Sequence, residues 1–390
     1  MIPGFSIPRK KEGTVMKFLH AADLHLDSPF SGTSLEKAEV RRSELRGAFT
    51  SLMLYAKTEA ELVLLPGDLF DSEHVTKDTA DLMKKEFAAL PDVKFVIAPG
   101  NHDPFSDGSV WARTKFSDNV YIFDPKGPGV FRFDDLNCDV YGFGYRENAA
   151  AFPFPEDFAP DDPSRINILC AHLDLTASSP YAGTTPERLA ACGFDYCALG
   201  HIHNGTGILK SGNTFYGYPG CLEGRDYGET GPKGVIAGEM KKSGGVFRLD
   251  WKGIRFSKRR YEVAAMNVTG VENETALGEA VRSAVIAGKY GSDTLLRLTL
   301  EGEVRPELRV SEQALRDAAG DLVFQLDIAD KTLPIFDTDA LKQDFSIRGA
   351  FFRRLEPMLR SEDEKERKIA AMALRVGLAA IDNGEIGFGL

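Results

Sequence analysis

The sequence predicts an α/β protein built as a sandwich, followed by a small α/β module and a helical segment. Short apolar runs of strand length alternate with helical stretches from residue 16 to about residue 250. Polar, chemistry-bearing side chains follow the ends of those runs, and several strand-like runs then succeed one another. The length of 390 residues also exceeds that of one typical domain.

The first part of the chain contains six predicted strands, each ending at a turn, a glycine or a group of polar residues. They are residues 17–22, 61–65, 93–98, 140–143, 166–170 and 196–199. Residues 35–58 and 77–90 place apolar side chains at helical spacing. Thr76, with Asp78 and Thr79 after it, is the expected N-cap of the second helix.

Four segments are predicted along the chain. They are a leader (1–15), the domain that carries the chemistry (16–255), a small α/β capping domain (256–335) and a C-terminal helical segment (336–390). The capping domain has predicted strands at 261–268, 294–300 and 322–328, helices at 274–289 and 312–319, and no histidine.

The last helix has the clearest end signals. Ser361 is its expected N-cap, acidic residues fill its first turn, and Asn383-Gly384 ends it. The residues expected on one apolar face are Ile369, Met372, Val376 and Ala380. This face either packs on its own domain or docks on a partner, and the sequence gives both interpretations about equal weight.

Composition and charge restrict the functional classes. The chain is 43% hydrophobic and 27% charged, and no apolar run approaches the roughly 20 residues that cross a bilayer. Residues 1–15 lack the apolar core of a signal peptide, and Met16 is an alternative start, so a cytoplasmic protein is expected. The five cysteines form no C-x-x-C pair and are expected to be reduced and structural. A net charge of −11 argues against coating nucleic acid through the whole surface, but it permits local basic patches.

Five motifs follow the ends of apolar runs, where side chains of an α/β sheet converge. They are Asp23-x-His25, Gly67-Asp68, Gly100-Asn101-His102-Asp103, His172 and Gly200-His201-Ile202-His203. Their three oxygen and four imidazole ligands suit Mn²⁺, Fe²⁺ or Zn²⁺ better than Ca²⁺ or Mg²⁺. Seven ligands (Asp23, His25, Asp68, Asn101, His172, His201, His203) are too many for one structural zinc and about right for two ions. Five of the seven histidines lie in these motifs, while His20 is expected to pack inside its strand and His74 to lie on the surface.

These motifs resemble the complete signature of the calcineurin-like metallophosphoesterases over about residues 16–203. The resemblance implies a four-layer α-β-β-α sandwich and two divalent ions. Asp23, His25, Asp68 and His203 would hold one ion, and Asp68, Asn101, His172 and His201 the other. Asp68 would therefore bridge the ions, and His102 would be the catalytic histidine that is not a ligand.

A narrower resemblance points to the SbcD-type DNA-repair exonuclease family, particularly its YhaO-like bacterial branch. It rests on residues 20–30, on Gly67-Asp68-Leu69-Phe70-Asp71, on Tyr218-Pro219-Gly220 and on Gly231-Pro232-Lys233-Gly234. It implies a DNA substrate, an ABC-type ATPase partner docked on the C-terminal helices, and a homodimer. Archaeal and eukaryotic relatives carry a histidine where this chain has Asp71, which we interpret as a difference between branches.

The residues also suggest a mechanism. Two cations lower the pKa of a shared water and neutralise charge on phosphate oxygens, so that hydroxide can attack phosphorus in line. His102, directly after Asn101, is expected to protonate the leaving alkoxide, and Asp103 to orient its loop.

Local positive charge favours DNA as the substrate. Eight basic residues between positions 241 and 260 surround one acid, Asp250: Lys241, Lys242, Arg248, Lys252, Arg255, Lys258, Arg259 and Arg260. Phe247, Leu249 and Trp251 alternate with polar residues, so a strand with a basic outer face is expected. The leading hypothesis is a DNA nuclease subunit. The alternatives are a phosphoesterase of small nucleotides and a DNA-end scaffold with a vestigial metal site.

Overall fold

The computed structural model describes residues 13–72, 75–305, 308, 310–335 and 337–383. Two compact units, Met1–Tyr261 and Glu262–Leu390, divide the chain. Most of the predicted leader, His74 and Gly384 lie outside the described residues. The domain boundaries at residues 255 and 335 stay predictions.

The first unit contains two large sheets and their covering helices. In chain order its described elements are β1 (Met16–His20), α1 (Leu35–Glu59), β2 (Leu62–Leu65), α2 (Lys77–Ala88), β3 (Lys94–Ile97), α3 (Val110–Arg113), β4 (Val120–Ile122), β5 (Gly129–Phe133), β6 (Cys138–Gly142), β7 (Ile166–His172), α4 (Pro186–Ala191), β8 (Tyr196–Gly200), β9 (Gly207–Ser211), β10 (Thr214–Tyr218), β11 (Gly234–Ser243) and β12 (Val246–Arg255). The six predicted strands coincide with β1, β2, β3, β6, β7 and β8. Thr76 caps α2 as expected, because its hydroxyl oxygen accepts a hydrogen bond from the Thr79 amide at 3.3 Å.

Each sheet has six strands. The order in the first is β12-β11-β1-β2-β3-β4, and in the second it is β5-β6-β7-β8-β10-β9. Strands β1 to β4 are parallel neighbours, as are β6, β7, β8 and β10. The carboxyl ends of these parallel strands carry the predicted motifs.

The alternation of side chains along the strands produces the layers. Leu19, Val63 and Phe95 of the first sheet pack on one side against Leu45 and Phe49 of α1.

The neighbouring positions point the other way and form the core between the sheets. Phe18, Leu64 and Val96 of the first sheet pack there with Ile168 and Tyr196 of the second. On the far side of the second sheet, α4 contributes to a third core. The expected four-layer α-β-β-α sandwich is therefore confirmed, and the five cysteines are buried free thiols, as expected.

His20 is a buried polar group within this sandwich, as expected. Burial lowers its pKa to about 3, so the imidazole is neutral. Its Nε2–H donates to the Leu199 carbonyl oxygen at 3.0 Å, and its Nδ1 accepts from the Tyr196 hydroxyl at 2.7 Å. This pair of hydrogen bonds connects the two sheets.

The second unit combines a small α/β module with three helices. Its described elements are β13 (Arg260–Asn267), α5 (Glu274–Ala287), β14 (Thr294–Glu301), β15 (Glu303–Val304), α6 (Glu312–Ala319), β16 (Gln325–Asp330), β17 (Leu333–Pro334), α7 (Thr338–Gln343), α8 (Ile347–Leu359) and α9 (Glu364–Asn383). The strand predicted to begin at residue 322 begins at Gln325 instead, because a short 3-10 turn extends α6 to Leu322.

The first interpretation of the predicted apolar face of α9, packing on its own domain, is wrong. Its buried positions are Ala370, Leu374 and Leu378, whereas Ile369 and Met372 are 55% and 69% exposed. The helix carries two apolar stripes, and the one that includes Leu374 and Leu378 packs against Phe352 of α8. The helix also begins later than expected. The Asp363 carboxylate, instead of Ser361, caps it by accepting from the Lys365 amide at 2.9 Å. Within the described residues, no helix has the length and apolar character that crossing a membrane requires.

We expect Tyr196→Phe to lower the free energy of unfolding by about 1–3 kcal/mol, because it leaves the buried Nδ1 of His20 without a hydrogen bond. Urea denaturation of the metal-free protein measures this change. Tyr121→Phe is the matched control, since that ring packs in the same core and its hydroxyl has no hydrogen-bond partner among the described residues. Equal losses in the two variants would contradict the prediction.

Candidate metal centre

The predicted ligands converge where the parallel strands of both sheets end. Asp23 and His25 follow β1, Asp68 follows β2 and Asn101 follows β3 in the first sheet. In the second sheet His172 is the last residue of β7, and His201 and His203 follow β8.

The first cluster consists of Asp23, His25, Asp68 and His203, whose candidate ligand atoms all lie within 4.8 Å of one another. The Nε2 atoms of His25 and His203 are 3.2 Å apart. Oδ2 of Asp68 is 3.7 Å from His25 Nε2, and Oδ1 of Asp23 is 3.9 Å from His203 Nε2. These four side chains could hold one divalent ion.

A second cluster adjoins the first through Asp68. His172 Nε2 lies 2.8 Å from Asn101 Oδ1 and 3.5 Å from Asp68 Oδ2, while His201 Nδ1 lies 3.3 Å from His172 Nε2. All seven predicted ligand side chains are thus brought together. Asp68 contacts both groups, and so does Asp23, whose Oδ1 lies 3.9 Å from His172 Nδ1.

The donor set fits cations. The Pro66 carbonyl can only accept, so His172 Nδ1 donates its proton there at 3.1 Å, and the Nε2 lone pair faces Asn101. Burial lowers the pKa of His25 to about 4, and likewise that of His201 to about 4, so both rings are neutral and offer lone pairs. Lone pairs that face each other at about 3 Å are repulsive unless a cation lies between them.

The two buried carboxylates reinforce this electrostatic demand. Burial and the charge of Asp68 raise the pKa of Asp23 well above its usual range. Burial also acts to raise the pKa of Asp68, but electrostatic interaction with the histidines around it and the hydrogen bond from the His102 amide outweigh burial and lower that pKa. Two carboxylates held this close in a dry site require compensating positive charge.

The backbone at the ligands is constrained as tightly as the side chains. Asp23, His25, Asp68 and His201 all have positive φ angles, of 51°, 45°, 51° and 110°. Residues other than glycine adopt this region at a cost, and such residues concentrate at functional sites. A Cβ atom at Gly100 would overlap the Asp68 carboxylate, so the glycine before Asn101 permits the close approach of two ligand loops.

Asp103 orients the ligand loops, as expected. Its carboxylate accepts hydrogen bonds from the backbone amides of Leu69 (2.8 Å), Gly100 (2.7 Å), Asp68 (3.2 Å) and Phe70 (3.3 Å). It therefore joins the loop after β2 to the loop after β3.

His102 lies on the solvent side of the cluster. Its backbone amide donates to Asp68 Oδ1 at 2.9 Å, and its ring Nδ1 donates to the Asp71 carbonyl oxygen at 3.1 Å. Because Nδ1 carries that proton, Nε2 is the nitrogen available to other groups.

The sequence did not identify two charged residues beside the histidines, Arg225 and Glu229, and noted Asp71 only as a departure from relatives. Glu229 Oε1 lies 2.6 Å from His203 Nδ1, and Asp71 Oδ1 lies 3.2 Å from His25 Nδ1. Arg225 pairs with both carboxylates. The available signal was an arginine and a glutamate four residues apart, between the two glycine-containing segments already noted near residues 218–220 and 231–234.

Those two segments support the last histidine loop. The Lys233 ammonium donates to the Asn204 side-chain oxygen at 2.6 Å and to the His203 carbonyl at 3.3 Å. The Cys221 amide donates to the same carbonyl at 3.1 Å.

The basic stretch is only partly a surface patch, which corrects the sequence interpretation. Lys242 is buried and pairs with Asp195 at 2.7 Å, and Arg259 pairs with Glu44 at 2.6 Å. The strand itself is confirmed as β12, with Phe247 and Leu249 packed inward and Arg248 and Lys252 exposed.

Comparisons with known proteins show the family of this chain. A family model described as calcineurin-like phosphoesterase matches residues 16–205. Over 302 residues the chain is 30% identical to the "Uncharacterized metallophosphoesterase YhaO" of Bacillus subtilis (strain 168), covering 74% of this chain and 72% of that protein. Among solved structures, Vacuolar Protein Sorting 29 from Cryptosporidium parvum aligns over 63% of this chain and 100% of its own, at 13% identity and a TM-score of 0.30. That last similarity is too weak to carry an argument.

We expect Asp103→Asn to weaken Mn²⁺ binding and to lower the free energy of unfolding by about 1–3 kcal/mol, because an amide group cannot accept all four hydrogen bonds. Calorimetric titration with Mn²⁺ and urea denaturation measure the two effects. Asp107→Asn is the control, since it makes the same charge change at an exposed position of the same loop. Unchanged Mn²⁺ affinity in Asp103→Asn would remove Asp103 from its orienting role.

Proposed function

We propose that this chain, which belongs to the calcineurin-like phosphoesterase family, is a DNA nuclease of the SbcD type. Family membership makes it a hydrolase of phosphoesters that uses divalent metal. The DNA substrate and the repair role are our proposal. They are supported by the arrangement of the site and by positive charge at the edge of the first sheet.

The contacts support two ion positions. We assign Asp23, His25, Asp68 and His203 to the first position and Asp68, Asn101, His172 and His201 to the second, with Mn²⁺ as the expected ion and Fe²⁺ or Zn²⁺ as alternatives. When bound, such a pair supplies a nucleophile at neutral pH and neutralises charge on the phosphate. The protein supplies the dry pocket and the fixed orientation of the ligand side chains.

His102 is the proposed general acid. With Nδ1–H donated to the Asp71 carbonyl, a protonated Nε2 can give its proton to the leaving 3′ or 5′ oxygen of the broken phosphodiester. The amide hydrogen bond to Asp68 keeps the ring beside the ligands without making it one of them.

The observation that carries the DNA proposal is the position of β12. This edge strand is antiparallel to β11, which is antiparallel to β1, so β12 ends at the same edge where β1 delivers its ligands. Exposed Lys252 and Lys258 lie near that end. Cationic side chains beside a phosphoesterase site can bind the backbone phosphates of a nucleic acid that extends beyond the reacting phosphate.

A cleft of about 330 Å³ at the same edge also supports a substrate larger than phosphate. Lys233, Trp251 and Arg255 are among the residues that line it, and Gly205, two residues after His203, forms part of its wall. An aromatic ring beside cations is the combination that binds unpaired nucleotides.

A phosphoesterase of small nucleotides is the second candidate. The cleft has the volume of an ordinary small-molecule pocket, and the net charge of −11 gives no general attraction to DNA.

We further propose that the C-terminal helices bind an ABC-type ATPase and that the protein acts as a cytoplasmic homodimer. Four large apolar side chains of this segment are exposed: Phe345, Ile347, Ile369 and Met372. Clustered exposed apolar groups are typical of protein interfaces. Ile369 and Met372 belong to the exposed apolar stripe of α9.

The deciding experiment incubates the purified protein with Mn²⁺ and end-labelled double-stranded DNA, beside an aryl phosphodiester. Degradation of the DNA supports the nuclease. Cleavage of the aryl ester with the DNA intact, also after adding the cognate ATPase, supports the small-substrate enzyme.

Two substitutions separate catalysis from metal binding. We expect His102→Ala to retain its metal and to lose about 10²–10⁴-fold in turnover, because it removes the acid only. Asp68→Ala should lose metal, since it removes a carboxylate that contacts both clusters. Metal analysis after dialysis against limiting Mn²⁺ and turnover of the aryl ester measure the two properties. Full activity of His102→Ala, or full metal content of Asp68→Ala, would refute the corresponding role.

Charge reversal at the end of β12 tests the DNA contact. We expect Lys252→Glu with Lys258→Glu to weaken DNA binding and to reduce the slope of affinity against salt by about 1 for each lost phosphate contact. Fluorescence anisotropy with labelled DNA at several salt concentrations measures the slope. Lys84→Glu with Lys85→Glu, two exposed residues of α2, is the control with the same net charge change. Equal slopes for the two double variants would exclude the end of β12 as the contact.

A further inference from the structure

One guanidinium joins the groups behind two of the candidate ligands. Arg225 donates through Nη1 to Asp71 Oδ1 at 2.9 Å and through Nη2 to Glu229 Oε1 at 3.1 Å. The same two oxygens face the imidazoles of His25 and His203. The two terminal nitrogens of one side chain therefore each engage one carboxylate–histidine pair.

The carboxylates determine which nitrogen of each ring faces the cluster. Glu229 is nearly buried, and its Oε1 receives the Nδ1 proton of His203, which leaves the Nε2 lone pair directed at His25. Asp71 Oδ1 lies 3.2 Å from His25 Nδ1, where its charge attracts the ring proton, although no hydrogen bond of suitable geometry joins the two atoms. The Nε2 atoms of the two rings are 3.2 Å apart.

Arg225 supplies the positive charge that a buried carboxylate, Glu229, and a half-buried one, Asp71, require when both face the same guanidinium. The Arg225 amide also donates to Glu229 Oε2 at 2.7 Å, and the Tyr261 hydroxyl donates to the Arg225 carbonyl at 2.8 Å. Hydrogen bonds therefore hold both the main chain of Arg225 and its guanidinium group in place.

The second cluster is supported differently. His172 donates its Nδ1 proton to the backbone carbonyl of Pro66, a neutral acceptor in the loop before Asp68. A backbone carbonyl needs no counter-charge, so this histidine does not depend on a distant side chain.

From this asymmetry we propose that Arg225 is a positioning residue for the first ion position and makes the two positions unequal in affinity. The inference rests on the proposed assignment of ligands to two ions. Loss of Arg225 frees Asp71 and Glu229 to repel each other and to turn, and His25 and His203 lose their common orientation. The second position keeps its own support.

The test measures ion binding instead of turnover. Purified apo protein is titrated with Mn²⁺ by calorimetry, and the signal of Mn²⁺ pairs is followed by electron paramagnetic resonance. We expect the wild type to bind two ions, and Arg225→Gln to bind one ion with near wild-type affinity and the other about 10–100-fold more weakly. Arg225→Lys should recover less than the full loss, because an ammonium cannot span both carboxylates with fixed donors.

Arg165→Gln is the matched control. Arg165 is also buried and also joins two carboxylates, those of Asp134 (2.9 Å) and Asp139 (2.7 Å), but it contacts none of the candidate ligands. It should lower thermal stability and leave both Mn²⁺ affinities unchanged.

The outcomes distinguish the assignment of the ligands from the positioning role of Arg225. A wild type that binds no Mn²⁺ pair overturns the ligand assignment and this inference together. A wild type with two ions and an Arg225→Gln protein that is folded by circular dichroism and keeps both affinities overturns this inference alone. An equal loss of affinity for both Mn²⁺ ions in Arg225→Gln also overturns this inference.

Discussion

The structure of the first unit depends on the repulsion between groups that share one sign of charge or carry facing lone pairs. Asp23 and Asp68 are buried together, and beside them ring nitrogens of His25 and His203, and of His172 and His201, face each other at 3.2 and 3.3 Å. No packing of apolar side chains satisfies such a group, so the fold must both hold these residues in place and admit cations. Most of the surrounding features can be understood as parts of that support.

The support is distributed over backbone and side chains. Asp103 gathers four amides, Arg225 joins two carboxylates, and Lys233 secures the loop of His203. These groups stabilise backbone conformations that cost on the order of 1–3 kcal/mol each at non-glycine residues. The sandwich supplies the required stability through the apolar core between its two sheets. A rigid scaffold and a strained edge therefore occur in the same unit.

Features that follow from local patterns of apolar and polar residues could be predicted from the sequence. Features that depend on tertiary contacts could not. Strands, early helices and the seven ligands follow from apolar runs and from polar residues placed after them. The pairing of Lys242 with Asp195 is between residues 47 positions apart, so the sequence alone counted that lysine as surface charge. The buried face of α9 was missed for a related reason, because Leu374 and Leu378 become core residues only through their contact with Phe352 of α8. Arg225 and Glu229 were overlooked because their importance comes from His25 and His203, far away in the chain.

The positive φ angles at the ligands also limit how this site can change during evolution. At Asp23 and Asp68 a substitution must satisfy the side-chain chemistry and also tolerate a left-handed backbone, which among L-residues asparagine and aspartate accept most readily. Glutamate offers the same carboxylate, but its side chain is one methylene longer and it does not favour positive φ angles. Few substitutions at these two positions are consequently compatible with a metal site. Asparagine is the replacement that best preserves both an oxygen ligand and the backbone conformation. We therefore expect substitutions to be tolerated at the edge strands and at the surface more readily than in these loops.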